Sequence, residues 1–218
     1  MENDDCFENG LSHHQAANVR LTYSEIIEQT LSDMNSVLEP FDLTTGKLTP
    51  HDEQWIFANR HRLTLLWQKT MLNYDDALLV DPEKKGFDFA FKLCTAQSKP
   101  AGICACFFNP HTNSVEIPGF ENFTRDEPEH PLNGRMFRYI LYTLYLYSLA
   151  LIEHCNAAED TLKIRVCHAI SDEVLHRYLE HAGLVHIHGT MDCETSFSAL
   201  EQYIETVAGH LASETAAV

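Results

Sequence analysis

The sequence predicts an α/β fold from three observations. Helical spacing of apolar residues runs through its first third, three short apolar runs separated by turns occupy the middle, and helix and strand patterns alternate beyond them. The chain has 218 residues, of which 44% are hydrophobic, with 12 Phe, 8 Tyr and 2 Trp. That is enough to bury a core without metal or disulfide support. One domain is expected over residues 19–212, after a loose leader at 1–18 and before a flexible tail at 213–218.

Taken in order, Tyr23, Ile26, Ile27, Leu31, Met34 and Leu38 recur at the i, i+3, i+4 spacing of an amphipathic helix over Thr22–Leu38, which Pro40 ends. The stretch FDLTTGKLTP reads as turns. Pro50 then opens a second helix from His51 to Asn73, with Trp55, Ile56, Leu63, Leu66 and Met71 inward. Phe87–Ala96, Ala101–Phe108 and Ser114–Phe120 read as three strands of an antiparallel meander, broken at SKP and NPHTN. Cys104 and Cys106 alternate along the second strand and so share a face.

A long helix follows from Arg135 to His154. Its apolar run YILYTLYLYSLALI, from Tyr139 to Ile152, falls short of the roughly 20 residues that span a bilayer and reads as a core helix. The remainder reads as a strand at Thr161–Val166, a helix at Ser171–His181 capped by Ser171 and stopped at Gly183, a strand at Leu184–His188 and a helix at Glu194–Leu211.

Composition narrows the function. Against 32 Asp and Glu stand 15 Lys and Arg, a formal charge of −17. Nucleic acids and anionic membranes are bound through cationic residues, so neither is an expected partner. Cationic partners such as amines are favoured by the long-range field. Seven cysteines without a framework spacing, and an acidic first segment without an apolar stretch, suggest a reduced, cytoplasmic protein.

The element order resembles that of the GNAT acyl-CoA N-acyltransferases over residues 20–190, as a divergent member. Two segments carry the resemblance. Pro131-Leu132-Asn133-Gly134-Arg135-Met136 lies where that family has a Gln or Arg, a Gly and a further small residue at the start of its main helix; Gly134 matches, Pro131 and Met136 do not. TLKIRVCHAISDEVLHRYLEHAGLVHIH resembles the later strand–helix–strand unit, with Leu179 where the family's Tyr stands and Tyr178 one residue earlier.

The resemblance implies a GNAT-like mixed sheet with an N-terminal antiparallel meander, flanked by helices. It also implies acetyl-CoA or another acyl-CoA as co-substrate. Gly134, Arg135 and Arg138 would then hold its phosphates at a helix N-terminus. Backbone N–H groups near Ile117 and Gly119 would polarise the thioester, beside Pro118, which has none. Glu116 would be the base, with Glu121 just beyond it, and Tyr178 the acid. The acceptor would be an amine on a small molecule or protein, a cationic one suiting the charge, with room for a homodimer. A catalytically silent binding or regulatory module is the alternative, and a fatty-acyl transferase with an apolar groove a third.

Two further constellations were weighed. His186 and His188 share a strand face, with Asp192 and Cys193 after them, but no second ligand pair accompanies them and no metal is expected. Cys167 and His168 are adjacent only in sequence, and Cys167 reads as a small buried hydrophobe.

Overall fold

The structure, a computed structural model, describes residues 13–59, 80–81, 86–95, 99–155, 157–167, 179–180 and 182–215. Along the chain come α1 (His13–Leu38), β1 (Leu43–Lys47), α2 (Pro50–Ala58), β2 (Val80–Asp81), β3 (Gly86–Thr95), β4 (Pro100–Asn109), β5 (Ser114–Asn122), α3 (Met136–Cys155), β6 (Lys163–Val166), β7 (Val185–His186), β8 (Cys193–Ser196) and α4 (Phe197–Thr215). The strands form one mixed sheet in the order β1-β3-β4-β5-β6-β8-β7, with β2 beside β3. Pairing is antiparallel except between β5 and β6. The fold class is α/β, a mixed sheet flanked by helices, and the meander, the long helix and the parallel strand stand in the order expected from the sequence.

Alternation along the strands sorts the core. Phe89, Phe91, Leu93, Cys104, Cys106, Phe108, Val115, Ile117, Ile164 and Val166 point to one face and pack against α1, α3 and α4. Alternate positions of β4, Ile103 and Ala105, form a smaller cluster on the other face with Ile56 of α2 and Phe123. Helix α3 is apolar nearly all round because it is covered on several sides; Tyr139, Ile140, Leu144, Tyr147 and Leu151 are fully buried. Among the described residues no helix is long and apolar enough to cross a membrane.

Three differences from the sequence reading have local causes. Helix α1 begins at His13, so residues 13–18 of the expected leader are helical; Gln15, Ala16, Ala17 and Arg20 are good helix formers. Residues 43–47, read as turns, form β1. The Asn35 side chain accepts from Thr45 N–H at 2.6 Å and donates to Thr45 C=O at 3.1 Å, while Thr45 Oγ1 donates to the Lys92 carbonyl. Residues 193–196, read as the start of a helix, form β8, in which Cys193 and Thr195 are buried and Glu194 and Ser196 alternate outward. The second predicted helix is seen as α2. Its expected continuation through Leu63, Leu66 and Met71 lies outside the described residues, as does the body of the helix expected at 171–181. The end of the latter is described: Leu184 N–H donates to Leu179 C=O and Gly183 N–H to Glu180 C=O, the paired bonds that close a helix at a glycine.

Helix α2 is fixed to the sheet by charge. The Thr49 hydroxyl caps Asp52 N–H, and the Asp52 carboxylate accepts from Thr49 N–H at 2.8 Å and from Lys92 Nζ on β3 at 2.6 Å. Burial pushes the Asp52 carboxyl up, but the bonds from Lys92 and Thr49 outweigh it, and the group lies below its ordinary value. A depressed carboxyl stabilises above its unfolded pKa and loses that contribution as pH falls through the folded one. Asp52→Ala should therefore lower unfolding free energy by about 2–3 kcal/mol at pH 7. In urea melts the gap between parent and variant should narrow steadily as the medium is made acid.

Candidate functional site

The site is built where the sheet changes direction of pairing. Lys163 N–H donates to Asn113 C=O, and Cys167 N–H donates to Ile117 C=O at 3.0 Å, the last rung between β5 and β6. There β6 ends, whereas β5 runs on to Asn122. At the same place the register between β4 and β5 slips. Phe107 faces Glu116 but Ala105 faces Gly119, so β5 carries an extra residue beside Pro118, a bulge. Among the described residues the pairing of β5 with β6 ends there, at the carboxyl edge of the parallel pair, the place where open α/β sheets bind ligands.

Backbone orientation follows from the bonds. Ile117 C=O is turned to β6, and by the alternation of the parallel ladder so is its N–H. Phe123 N–H donates to Ala101 C=O, and the register continues through Glu121 opposite Ile103 and Gly119 opposite Ala105, so Gly119 is turned to β4. The predicted donors Ile117 and Gly119 therefore serve neighbouring strands. The backbone of Phe120 and Asn122, at the alternate positions, is turned to the open side. Finding these two in the sequence requires the bulge, which Pro118 alone does not specify.

Glu116 and Arg165 are side by side across the parallel pair, and Arg165 is opposite Glu194 on β8. Arg165 Nη1 lies 3.7 Å from Glu116 Oε1 and Nη2 3.4 Å from Glu194 Oε2; Lys163 Nζ lies 2.9 Å from Glu194 Oε1. Ser114 Oγ donates to Glu116 at 3.2 Å. Burial pushes the Glu194 carboxyl up, but Lys163 and Arg165 outweigh it and the group lies below its ordinary value. Glu121, past the bulge, is only 3% exposed and lies 3.6 Å from Arg125.

The loop from β5 to α3 brings the helix start to this crevice. Asn122 Nδ2 donates to Asn133 Oδ1, and the Phe120 and Phe137 rings are 5.4 Å apart. Gly134 takes a left-handed φ of 71°, and the Arg135 guanidinium lies 5.8 Å over the Phe41 ring. Arg138 is half-buried on the first turn of α3. Glu116, Ile117 and Gly119 lie on β5, Gly134 and Arg135 on the turn before α3, and Arg138 on its first turn. Tyr178 lies outside the described residues, and Leu179 beside it in sequence is fully buried core.

His186 Nε2 is 2.8 Å from the Thr190 carbonyl, closing the turn between β7 and β8. Among the described residues no group of three or more His, Cys, Asp or Glu could hold a metal ion. Cys104 and Cys106 do share a face, with Sγ atoms 3.8 Å apart in the core, and the six described cysteines are free thiols.

No family model matches the chain, and no curated protein matches it. Several solved structures of Vibrio cholerae proteins are similar to it. The spermidine N-acetyltransferase in complex with CoA and spermine is 17% identical, with a TM-score of 0.47, over 73% of this chain and 98% of that one. A dodecameric spermidine N-acetyltransferase is 18% identical, TM-score 0.46, over 72% and 95%. The spermidine/spermine N-acetyltransferase with manganese is 15% identical, TM-score 0.45, over 78% and 98%. Likeness at this level carries no inference about residues or substrate.

One thiol reports on the crevice. Cys167 follows β6 directly and is pushed up to about 12, first by burial and then by Asp192 and Glu116, with Arg165 acting oppositely. A thiol so raised carries little thiolate at neutral pH. Iodoacetamide should therefore alkylate Cys167 in the folded protein at least ~100-fold more slowly than after denaturation. Mass spectrometry of its peptide measures both rates; equal rates would contradict the burial described.

Proposed function

We propose that the protein transfers an acyl group, acetyl first among the candidates, from an acyl-CoA to an amine acceptor. The observation that supports this best is the crevice where β5 and β6 part beside the bulge. It offers an extended backbone edge to one substrate and a carboxylate-bearing strand to the other. The charge of −17 suits a cationic acceptor, and the free thiols suit the cytoplasm.

In the reaction the amine nitrogen attacks the thioester carbonyl, the C–S bond breaks, and the thiolate takes up a proton. Glu116 is assigned as the base that receives the ammonium proton, directly or through water. The Arg165 charge at 3.7 Å and the hydrogen bond from Ser114 favour its carboxylate on the strand face beside the parting point. Tyr178 is assigned as the acid. Backbone N–H groups turned to the crevice stabilise the developing oxyanion.

The same ion pair favours a second reading, a silent binding module, since a carboxylate held by an arginine also serves as a strand-to-strand brace. Turnover separates the two. Parent protein with acetyl-CoA and a panel of mono- and polyamines should release thiol. Glu116→Gln should lower kcat about 10²-fold or more with little change in the donor KM. Donor binding without turnover on any amine would leave the module reading standing.

A further inference from the structure

One side chain gathers the loop between β5 and α3. Asn133 Nδ2 donates to the Thr124 carbonyl at 3.0 Å and to the Glu127 carbonyl, and Asn133 Oδ1 accepts from Asn122 Nδ2 at 3.1 Å. Both donor hydrogens and the oxygen of the primary amide are thus engaged. The backbone around it is closed too. Asn133 N–H donates to His130 C=O at 2.9 Å, and Arg135 and Met136 N–H donate to Leu132 C=O at 3.1 and 2.9 Å. The last two bonds span residue 133, so the entry to α3 is set by the main-chain atoms between Leu132 and Arg135.

The residue that follows is Gly134, exposed and at a φ of 71°. With no Cβ to shield it, a glycine nitrogen is open to reaction with the side chain of a preceding asparagine. The Gly134 nitrogen bonds to the Asn133 side-chain carbon, the bond from that carbon to Nδ2 breaks, and ammonia leaves carrying the proton of the Gly134 amide. Water then opens the five-membered imide. Opening at one carbonyl gives aspartate; at the other it gives isoaspartate, whose main chain is one carbon longer. To react, the side-chain carbon must swing towards the Gly134 nitrogen and leave the three partners that hold it.

We infer that Asn133 is a site of spontaneous deamidation that the fold holds closed and that, once modified, cannot rebuild the loop. A carboxylate has no hydrogen to offer the Thr124 and Glu127 carbonyls, and sets its charge against their oxygens. Asp126, Glu127 and Glu129, exposed on the same loop, add like charge. In isoaspartate the extra carbon also breaks the spacing of the turn that enters α3. Opening of this loop is reversible only until the imide forms, and the modification marks molecules in which it has opened.

Peptide mapping by mass spectrometry, on the full chain held at mildly alkaline pH, tests the first half. In guanidinium Asn133 should convert as fast as Asn9, which also precedes a glycine. In the folded protein it should convert about 10²-fold more slowly, since its three hydrogen bonds must open together. A folded rate within about threefold of the unfolded one would overturn the inference. Asn133→Asp tests the second half. It should lower the thermal midpoint by roughly 5 °C or more at neutral pH, with the gap to the parent shrinking in acid as the new carboxyl regains a donor. A variant that melts with the parent would overturn the inference as well. Should the variant not fold, aged parent protein gives the same reading: the fraction modified at 133 should be cut by protease within residues 122–134 faster than the unmodified fraction, and equal resistance would contradict it.

Discussion

The hydrogen bond from Cys167 N–H to Ile117 C=O marks the constraint on which the architecture turns. Up to that rung, β5 is held on both sides, antiparallel to β4 and parallel to β6. After it, among the described residues, β5 has a strand on one side only. A bulge at the same point lets the strand keep its apolar side chains inward, with Ile117 before the slip and Phe120 after it on one face. The parallel pair also demands a crossover, and α3 supplies it. Its nearly uniform apolarity is what a crossover helix needs when it is covered by the sheet, α1 and α4.

Much of this was legible because the signals are strong where burial is complete. The meander announces itself through Phe89, Phe91, Cys104, Cys106 and Phe108, whose alternation survives in the structure, and α3 through its apolar run. Edge elements were not legible. Residues 43–47 hold one large apolar side chain, Leu43, and owe their strand form to pairing with β3 and to Asn35. Residues 193–196 are mostly polar, and their alternation emerges only once Glu194 is seen paired with Lys163 and Arg165. At the candidate site Pro118 and Glu116 are visible in one line of text and direct attention to β5. Which backbone groups face the opening depends on a register slip, a property of two strands at once.

Few cations serve this acidic chain, and those of the sheet are placed with economy. Lys92 reaches α2 from β3, Lys47 reaches Glu28 of α1 at 2.8 Å, and Lys163 and Arg165 gather Glu194 and Glu116 across three strands. Each bridges elements distant in sequence, and the pair at Asp52 is sheltered from water, where such contacts are screened least. The crevice therefore opens beside an ion network that ties β5, β6 and β8 together.

The Asn35 side chain has a consequence for the life of the protein in a crowded solution. Among the described residues β1 is the outermost strand on its side of the sheet, and the N–H and C=O of Thr45 are those a second strand would seize. A primary amide occupies both at once, imitating the missing neighbour with a single side chain. The border is thereby made less receptive to stray β-segments at its middle, and one route to edge-to-edge aggregation is narrowed without a proline or an extra strand.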